Sequence, residues 1–371
     1  MNNLKSISII LFIFFAFSYS YGQKNKLSLL DFYKYNPEIE HKVDLIFNTL
    51  NDTTRVAQMI VTSAGELGKP EKIVYKLAQE NKIGGVVFLK GTTENHKKMI
   101  DSLNAISVSK NQLPLLFSID AEPSLFNGRL QGTKSLMNTI DIRTEKQSDS
   151  VATIINNKLL EIGFHQNFAP VVDISPENEA IKDRSFGNDK NKVFKLSNQF
   201  IKTTQNQGII ATAKHFPGHG LVKGDTHKKS VYIDGELQEL EIYPPLIQEN
   251  VLSIMIAHIT IKNNKKYNTN GLPASCSKKI VTSLLKEKLG FKGLIITDAL
   301  NIMKAVTIID NAPLLASKAG NDMLLMPIDE GETIKSILDE MQKDEAYKTQ
   351  VYESVKKIIR FKIVLGLMKN K

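Results

Sequence analysis

One stretch near the middle of the chain decides how the rest is interpreted. It reads Ala211-Thr-Ala-Lys-His-Phe-Pro-Gly-His-Gly-Leu-Val-Lys-Gly-Asp-Thr-His227 and holds three of the chain's seven histidines. An apolar, β-prone run ends at Lys214, the chain breaks at Pro217, and a glycine-rich loop then carries Asp225. A buried strand with a charged tip that passes into a loop is typical of an active site. A histidine-rich surface turn is the alternative interpretation.

Similar apolar runs recur along the chain, with amphipathic segments between them. Most are apolar on both faces, which is typical of parallel strands covered by helices. The runs lie at residues 58–62, 83–89, 113–120, 167–173, 209–214, 251–258, 294–298 and 323–326. Helical spacing marks the segments 71–81, 94–104, 146–162, 192–207, 237–249 and 278–289. Eight strand–helix repeats predict an α/β fold, a (β/α)8 TIM-type barrel, with a doubly wound open sheet as the competing arrangement.

Polar side chains gather where nearly every predicted strand ends. In a closed barrel the carboxyl ends of all strands surround one site, whereas in an open sheet only the ends near the switch point share one. The residues at these ends are Asp120, Glu122, Asp173, Lys214, His215, His258 and Asp298. Their spread over many strands favours the barrel. We find no internal linker in the sequence and therefore predict a single catalytic domain.

The first 22 residues have a composition unlike the rest. One lysine, Lys5, precedes an almost wholly apolar stretch at 7–17, and small residues near Gly22 offer a cleavage point. The pattern predicts a secretory signal peptide over residues 1–22, because the apolar stretch is short for a membrane span. An uncleaved N-terminal anchor is the alternative. We expect an exported protein, periplasmic or secreted, with a mature domain over 23–371 and no membrane span after signal cleavage.

Charge and cysteine content indicate which partners and which cross-links to expect. The chain carries a formal net charge of +9 and one cysteine, Cys276, so no intramolecular disulfide can form. Its lysines are spread evenly without interleaved aromatic residues, and we therefore expect no nucleic-acid partner. We expect a monomer whose stability comes from core packing.

Asp298 ends the buried strand pattern Gly293-Leu-Ile-Ile-Thr-Asp298. A carboxylate in such a place requires a partner or a function, because burying an unpaired charge is unfavourable. We interpret it as a nucleophile or an electrostatic partner at the mouth of the barrel. The alternative is an ordinary N-cap for the following helix.

Asp225 and His227 lie two residues apart on the glycine-rich loop. A carboxylate so placed can orient an imidazole and stabilise its charged form, which makes the histidine a general acid and base. Glycoside hydrolysis needs such a group opposite a carboxylate. The alternative is a zinc site built from His215, His219, Asp225 and His227, but this spacing matches no compact metal motif and Lys214 would repel a cation. We therefore predict no metal.

These motifs resemble a known family. The block Lys214-His-Phe-Pro-Gly-His-Gly220, followed by Asp225-Thr-His227, closely resembles the signature of glycoside hydrolase family 3 in its β-N-acetylglucosaminidase branch. Supporting segments occur in the same order, and the likeness spans about residues 50–366. They are Ser118-Ile-Asp-Ala-Glu122, Phe168-Ala-Pro-Val-Val-Asp173, Asp183-Arg-Ser-Phe-Gly187 and Leu289-Gly-Phe-Lys-Gly-Leu-Ile-Ile-Thr-Asp298.

The resemblance implies a retaining exo-β-N-acetylglucosaminidase (a β-N-acetylhexosaminidase) with no metal or organic cofactor. Its substrate would be terminal, non-reducing N-acetylglucosamine on peptidoglycan fragments or related glycans. Asp298 matches the family nucleophile, and His227 with Asp225 matches the acid/base pair of this branch. The sugar-binding positions that the resemblance implies are Asp120, Arg129, Arg184, Lys214 and His215.

Some features depart from the family pattern, and two other functions stay open. Ala299 follows the implied nucleophile where many members have an acidic residue, and the segment that carries Arg129 differs in length from the commoner form. A β-glucosidase or another exo-glycosidase of the same fold is one alternative. A catalytically silent sugar-binding barrel is the other, and the intact set of Asp298, Asp225 and His227 argues against it.

Overall fold

A computed structural model describes residues 27–174, 177–225 and 230–368. Eight parallel strands alternate with helices along the chain and form its central sheet. The strands are β1 (Ile60–Ala64), β2 (Gly85–Phe88), β3 (Leu116–Ile119), β4 (Gln166–Asn167), β5 (Ile210–Phe216), β6 (Ser253–Ile256), β7 (Leu294–Thr297) and β8 (Leu324–Leu325). Each predicted apolar run contributes one of them.

The sheet closes on itself. From β1 to β7 each strand pairs in parallel with the next one along the chain, and β8 pairs with β1 through Ile60 and Leu324. A parallel bridge between Ile296 and Met323 joins β7 to β8. The predicted TIM-type barrel is therefore confirmed, and the open-sheet alternative is wrong.

Helices cover the barrel, and short strands tie some of its loops together. The longer helices are Pro37–Thr49, Asp52–Ala57, Glu71–Gln79, Thr93–Ser109, Glu145–Ile162, Lys190–Asn206, Tyr243–Gln248, Ala312–Ala319, Glu330–Met341 and Glu345–Val364, with a π-type helix at Lys279–Lys288. Single turns lie at Leu29–Tyr33, Phe126–Arg129, Thr139–Asp141, Lys182–Arg184, Leu240–Ile242, Ala274–Cys276 and Lys304–Thr307. The loop strands pair as Gly91–Thr92 with Leu130–Gln131 and as Tyr232–Asp234 with Thr260–Lys262.

β4 is shorter than the sequence predicted. The apolar run at 167–173 suggested a full strand, but paired strand geometry stops at Asn167. Pro170 has no N–H to donate to a ladder, which interrupts regular pairing. The backbone still runs beside β5, where the Thr212 N–H donates to Ala169 O at 2.9 Å and Val172 N–H donates to Lys214 O at 2.7 Å. This path carries Asp173 to the end of β5.

The predicted helix at 237–249 forms in two pieces. A 3-10 turn at Leu240–Ile242 precedes a short helix at Tyr243–Gln248. Pro244 and Pro245 fall in the first turn of that helix, where a missing N–H has no helical partner to lose. Glu239 therefore lies at the cap of a turn and not on a helix face.

The first part of the chain falls outside the described residues, and so does the predicted signal peptide at 1–22. Within the ranges that the structure describes, no helix is both long enough and apolar enough to cross a membrane.

A buried histidine makes the fold sensitive to acid. His96 is 2% exposed and lies beside Phe88, with the ring centroids 5.0 Å apart. Burial lowers the pKa of His96 to about 4, whereas an unfolded histidine titrates near about 6.5. The native state thus binds fewer protons, and the stability present above about pH 6.5 is lost as the pH falls toward about 4. We predict that the free energy of unfolding falls by about 2 kcal/mol through this group between about pH 7 and 4.5.

Urea unfolding at a series of pH values measures this effect. His96→Asn should reduce the dependence on pH but not remove it, because burial also lowers the pKa of His165 to about 4. His41→Asn, at an exposed histidine, should leave the dependence as in the wild type. An unchanged acid dependence in His96→Asn would contradict the assignment.

Candidate active site

A cavity of about 370 Å³ lies at the carboxyl ends of the barrel strands. Side chains predicted from sequence to act in one site line it together: Asp120, Arg129, Arg184, Lys214, His215 and Asp298. The structure therefore brings six of the eight predicted site residues to one place.

Charged side chains form one wall of the cavity, and apolar side chains line much of the rest. The strand β5 and the loops after β3 and β4 supply the charged side chains other than Asp298, together with a few apolar ones. The strand β8 and the loops after β1, β7 and β8 supply mostly apolar side chains. The apolar lining includes Leu67, Ala299, Ile302, Met303, Leu325 and Met326. Asp298 is the carboxylate on this apolar side. A small molecule that carries both polar and apolar groups would match this lining.

Lys214 is the centre of the charged wall. It lies on β5, is 2% exposed, and donates from Nζ to Asp120 Oδ1 at 2.7 Å. The same ammonium lies 2.6 Å from Glu122 Oε1. Two carboxylates therefore compensate one buried cation, which removes most of the penalty for burying it.

Arg184 and Glu122 form a two-point ion pair next to this lysine. Arg184 donates from Nε to Glu122 Oε2 at 2.7 Å and from Nη2 to Glu122 Oε1 at 2.8 Å. Burial alone would raise the pKa of Glu122, but the charges of Arg184 and Lys214 hold it well below its usual range. Glu122 was recognised in the sequence only as a polar strand end, and it fixes the direction of two predicted sugar-binding side chains.

Arg129 reaches the same wall from the turn that follows β3. Its Nη2 lies 3.6 Å from Asp120 Oδ2, and its Nη1 donates to Leu89 O at 3.3 Å. The unusual length of this segment in the sequence does not prevent Arg129 from lining the cavity.

His215 is held by Asp173, which was recognised in the sequence only as a polar strand end. His215 Nδ1 lies 2.6 Å from Asp173 Oδ2, and the same carboxylate accepts the backbone N–H of His219 at 2.7 Å. Burial opposes ionisation of Asp173, but the charge and hydrogen bond of His215 hold its pKa below the usual value. The pairing fixes the ring orientation of His215 at the cavity.

Asp298 follows β7 directly and is half-buried. Its Oδ1 accepts the N–H of Ala299 at 2.8 Å. Burial would raise the pKa of Asp298, but the imidazoles of His215 and His258 and the Ala299 N–H lower it. The helix-cap alternative is wrong, because the next helical turn begins at Lys304 with Met303 as its cap.

His258 supports the loop on which Asp298 lies. Its Nδ1 lies 2.7 Å from Ser275 Oγ and its Nε2 lies 3.1 Å from Ala299 O. Burial lowers the pKa of His258, which favours the neutral ring. In that form Nε2–H donates a hydrogen bond to Ala299 O, and Nδ1 accepts one from the Ser275 hydroxyl.

The two remaining predicted residues have a different status. Asp225 is described and half-buried, and it is not part of the cavity lining. His227 lies outside the described residues. Its assignment rests on the sequence.

His227, one of the four ligands in the zinc alternative, lies outside the described residues. Within them, no group of three or more histidine, cysteine, aspartate or glutamate side chains is arranged to hold a metal ion. Nδ1 of His215, another of the four, lies 2.6 Å from Asp173 Oδ2. The adjacent acids Asp329 and Glu330 have structural roles: Asp329 caps the helix Glu330–Met341, and Glu330 pairs with Lys69.

Comparison with known proteins places the fold and site in context. The profile of the Glycosyl hydrolase family 3 N terminal domain matches residues 51–361. A β-hexosaminidase A of Pseudoalteromonas piscicida is 32% identical over 301 residues, which covers 74% of this chain and 50% of that protein. A β-hexosaminidase of Haemophilus influenzae is 29% identical over 283 residues, which covers 71% of this chain and 77% of the relative.

A solved structure shares the fold. The glycoside hydrolase family 3 β-N-acetylglucosaminidase from Paenibacillus sp. str. FPU-7 is 26% identical, with a TM-score of 0.76. The match covers 86% of this chain and 63% of that one. This chain thus spans half the length of the Pseudoalteromonas relative and less than two thirds of the Paenibacillus structure.

Proposed function

Because this chain belongs to glycoside hydrolase family 3, we propose that it is a retaining exo-β-N-acetylglucosaminidase. It removes terminal, non-reducing β-linked N-acetylglucosamine from peptidoglycan fragments or related glycans. The names of the relatives, β-hexosaminidase and β-N-acetylglucosaminidase, support this sugar. The mixed polar and apolar lining of the cavity also supports it, since the sugar carries hydroxyl groups and an apolar acetamido methyl.

The observation that carries the proposal is the position of Asp298. It lies at the end of β7 in a cavity that Lys214, Arg184 and Asp120 also line. Its lowered pKa keeps the carboxylate ionised at neutral pH, as a nucleophile requires.

The reaction proceeds in two displacements at the anomeric carbon. The Asp298 carboxylate attacks the anomeric carbon, and the bond between this carbon and the leaving oxygen breaks. His227 donates a proton to the leaving oxygen. Asp225 orients His227 and stabilises its charged form. A water molecule then loses a proton to His227 and attacks the glycosyl–Asp298 ester. This step releases the sugar with its original configuration and frees the carboxylate.

The charged wall holds the sugar during both steps. Glu122 fixes Lys214 and Arg184, and Lys214 in turn fixes Asp120. Donors and acceptors that are already fixed orient a polyhydroxylated ring with little further loss of entropy. Arg129 and His215 complete the set of sugar-binding side chains in this proposal.

The enzyme that we propose consists of a signal peptide and one catalytic domain. Residues 1–22 act as a signal peptide and residues 23–371 form a single catalytic domain. The enzyme works as a monomer in the periplasm or outside the cell, without a metal or organic cofactor. The apolar stretch at 7–17 supports export.

Rates on two aryl glycosides test the substrate assignment. We expect kcat/KM on 4-nitrophenyl N-acetyl-β-glucosaminide to exceed that on 4-nitrophenyl β-glucoside by about 100-fold or more, because a site that binds the acetamido group discriminates against its absence. A preference for the glucoside would move the protein to another activity of the family. Folded protein with no activity on either would favour the silent sugar-binding barrel.

A further inference from the structure

Two side chains at the rim of the cavity are exposed, and both are large aliphatic groups. Among the described residues that line the cavity, Leu67 and Ile302 are the two exposed ones. Leu67 is 61% exposed and Ile302 is 51% exposed. The other lining residues are buried or half-buried. The rim of the cavity is therefore apolar where it is most open to water.

Leu67 lies on a tight turn that follows β1. The Gly68 N–H donates to Gly65 O at 3.0 Å, which closes the turn around the leucine. The Glu66 N–H donates to Lys90 O at 2.7 Å and joins the turn to the loop after β2. Gly65 has φ +91°, and a Cβ there would lie 2.5 Å from Lys90 O. The backbone is thus held in a path that presents a leucine to solvent at the cavity.

Ion pairs fix the same turn on both sides. Lys69 Nζ lies 2.5 Å from Oε2 of Glu330, at the start of the helix that follows β8. Lys90 Nζ lies 3.1 Å from Glu66 Oε2. Each of these two ammonium groups already has a carboxylate partner. The turn therefore offers a ligand the apolar side chain of Leu67 more readily than a positive charge.

Ile302 lies four residues after Asp298 on the loop that follows β7. The backbone between them is held at Leu300, whose N–H donates to Leu325 O at 2.9 Å. Met303, the next residue, is buried and also lines the cavity. The loop of the proposed nucleophile thus carries the second exposed aliphatic group of the rim.

An aglycone has to occupy the open end of such a cavity. The terminal sugar fills the enclosed part, where the charged side chains lie, and the group beyond the glycosidic oxygen extends toward solvent. When an apolar group covers an exposed leucine or isoleucine, water leaves both surfaces, which is favourable. A charged group placed there would lose hydration without gaining a partner.

We propose that Leu67 and Ile302 form an aglycone-binding subsite that selects aglycones with an apolar group next to the glycosidic oxygen. An alkyl or aryl group has this chemistry. The inference rests on the proposed function and deepens it, because it names the class of leaving group that the enzyme prefers.

Inhibition by a series of thioglycosides tests this subsite. The S-ethyl, S-butyl and S-hexyl 1-thio-N-acetyl-β-glucosaminides share one sugar and differ in their alkyl chain, and their sulfur linkage resists hydrolysis. With 4-nitrophenyl N-acetyl-β-glucosaminide as substrate, we expect Ki to fall by about 10-fold from ethyl to hexyl. Each added methylene leaves water on the side that faces the rim, so the gain is smaller than for full burial.

A double variant, Leu67→Asn with Ile302→Thr, replaces both apolar surfaces with polar ones of similar size. The ratio of the ethyl Ki to the hexyl Ki should fall to within about 2-fold of one. This ratio is the readout, because a change in sugar binding affects both inhibitors equally and cancels. The matched control is Leu160→Asn, at an exposed leucine of the helix Glu145–Ile162, and it should keep the wild-type ratio.

The outcomes separate the two proposals. A Ki that does not change with chain length, in an enzyme active on the 4-nitrophenyl substrate, would overturn the subsite and leave the proposed function intact. A wild-type ratio in the folded double variant would do the same. If the double variant does not fold, each single variant should lower the ratio by about 3-fold, and unchanged ratios in both would count against the subsite. A folded wild type without activity on the 4-nitrophenyl substrate would overturn the proposed function, and the inference with it.

Discussion

Asp298→Asn is expected to lower kcat on 4-nitrophenyl N-acetyl-β-glucosaminide by about 10⁴-fold or more. That loss corresponds to about 5.5 kcal/mol of activation free energy. The amide has nearly the size of the acid and can still accept the Ala299 N–H. The change therefore removes the nucleophilic charge and leaves the packing of β7 and its loop in place.

The matched control is Asp310→Asn, the same substitution at an exposed residue of the following loop. Its kcat should equal that of the wild type within about 2-fold. Thermal melting of both variants shows whether they are folded. Substantial activity in a folded Asp298→Asn enzyme would contradict the nucleophile assignment.

Lys214→Met is expected to produce the second largest effect, on both stability and activity. The ammonium is buried between Asp120 and Glu122, at 2.7 and 2.6 Å. Its removal leaves the buried Glu122 and the half-buried Asp120 without this cation, and we expect a loss of about 3 kcal/mol in the free energy of unfolding. Asp120 also loses the contact that orients it toward the sugar, and kcat/KM should fall by about 100-fold.

A double-variant cycle of Lys214→Met with Glu122→Gln tests whether the loss of stability comes from the carboxylate that is left without its cation. Neutralising Glu122 removes part of the unpaired charge, so the double variant should be more stable than the sum of the single losses predicts, by about 1 kcal/mol or more. Lys195→Met, at an exposed lysine, controls for the substitution itself. Strict additivity would show that Lys214 and Glu122 do not stabilise each other.

The sequence predicted the barrel because its strands are buried on both faces and their apolar runs are regularly spaced. It also predicted that Asp120, Lys214, His215 and Asp298 share a cavity, since the carboxyl ends of barrel strands meet. The early end of β4 could have been anticipated from Pro170, which cannot donate to a ladder.

The acids that hold the loop backbone beside the cavity were harder to predict from the sequence than the residues that line it. Asp173 and Glu239 accept mainly backbone N–H groups, and a backbone donor leaves no trace in the sequence. Glu239 lies 65 residues from Ile174, so their contact depends on the path of the whole loop. Asp225 and His227 are assigned from their motif, and their roles stay a prediction.

Trapping the glycosyl–enzyme intermediate tests the central proposal most directly. A 5-fluoro N-acetyl-β-glucosaminyl fluoride suits this purpose, because its fluoride leaves without an acid and the ring fluorine slows hydrolysis of the ester. Intact-mass measurement followed by peptide mapping should show one sugar attached to Asp298 in the wild type and none in Asp298→Asn. Turnover of the reagent with no protein adduct, or a label on another carboxylate, would contradict the proposed mechanism.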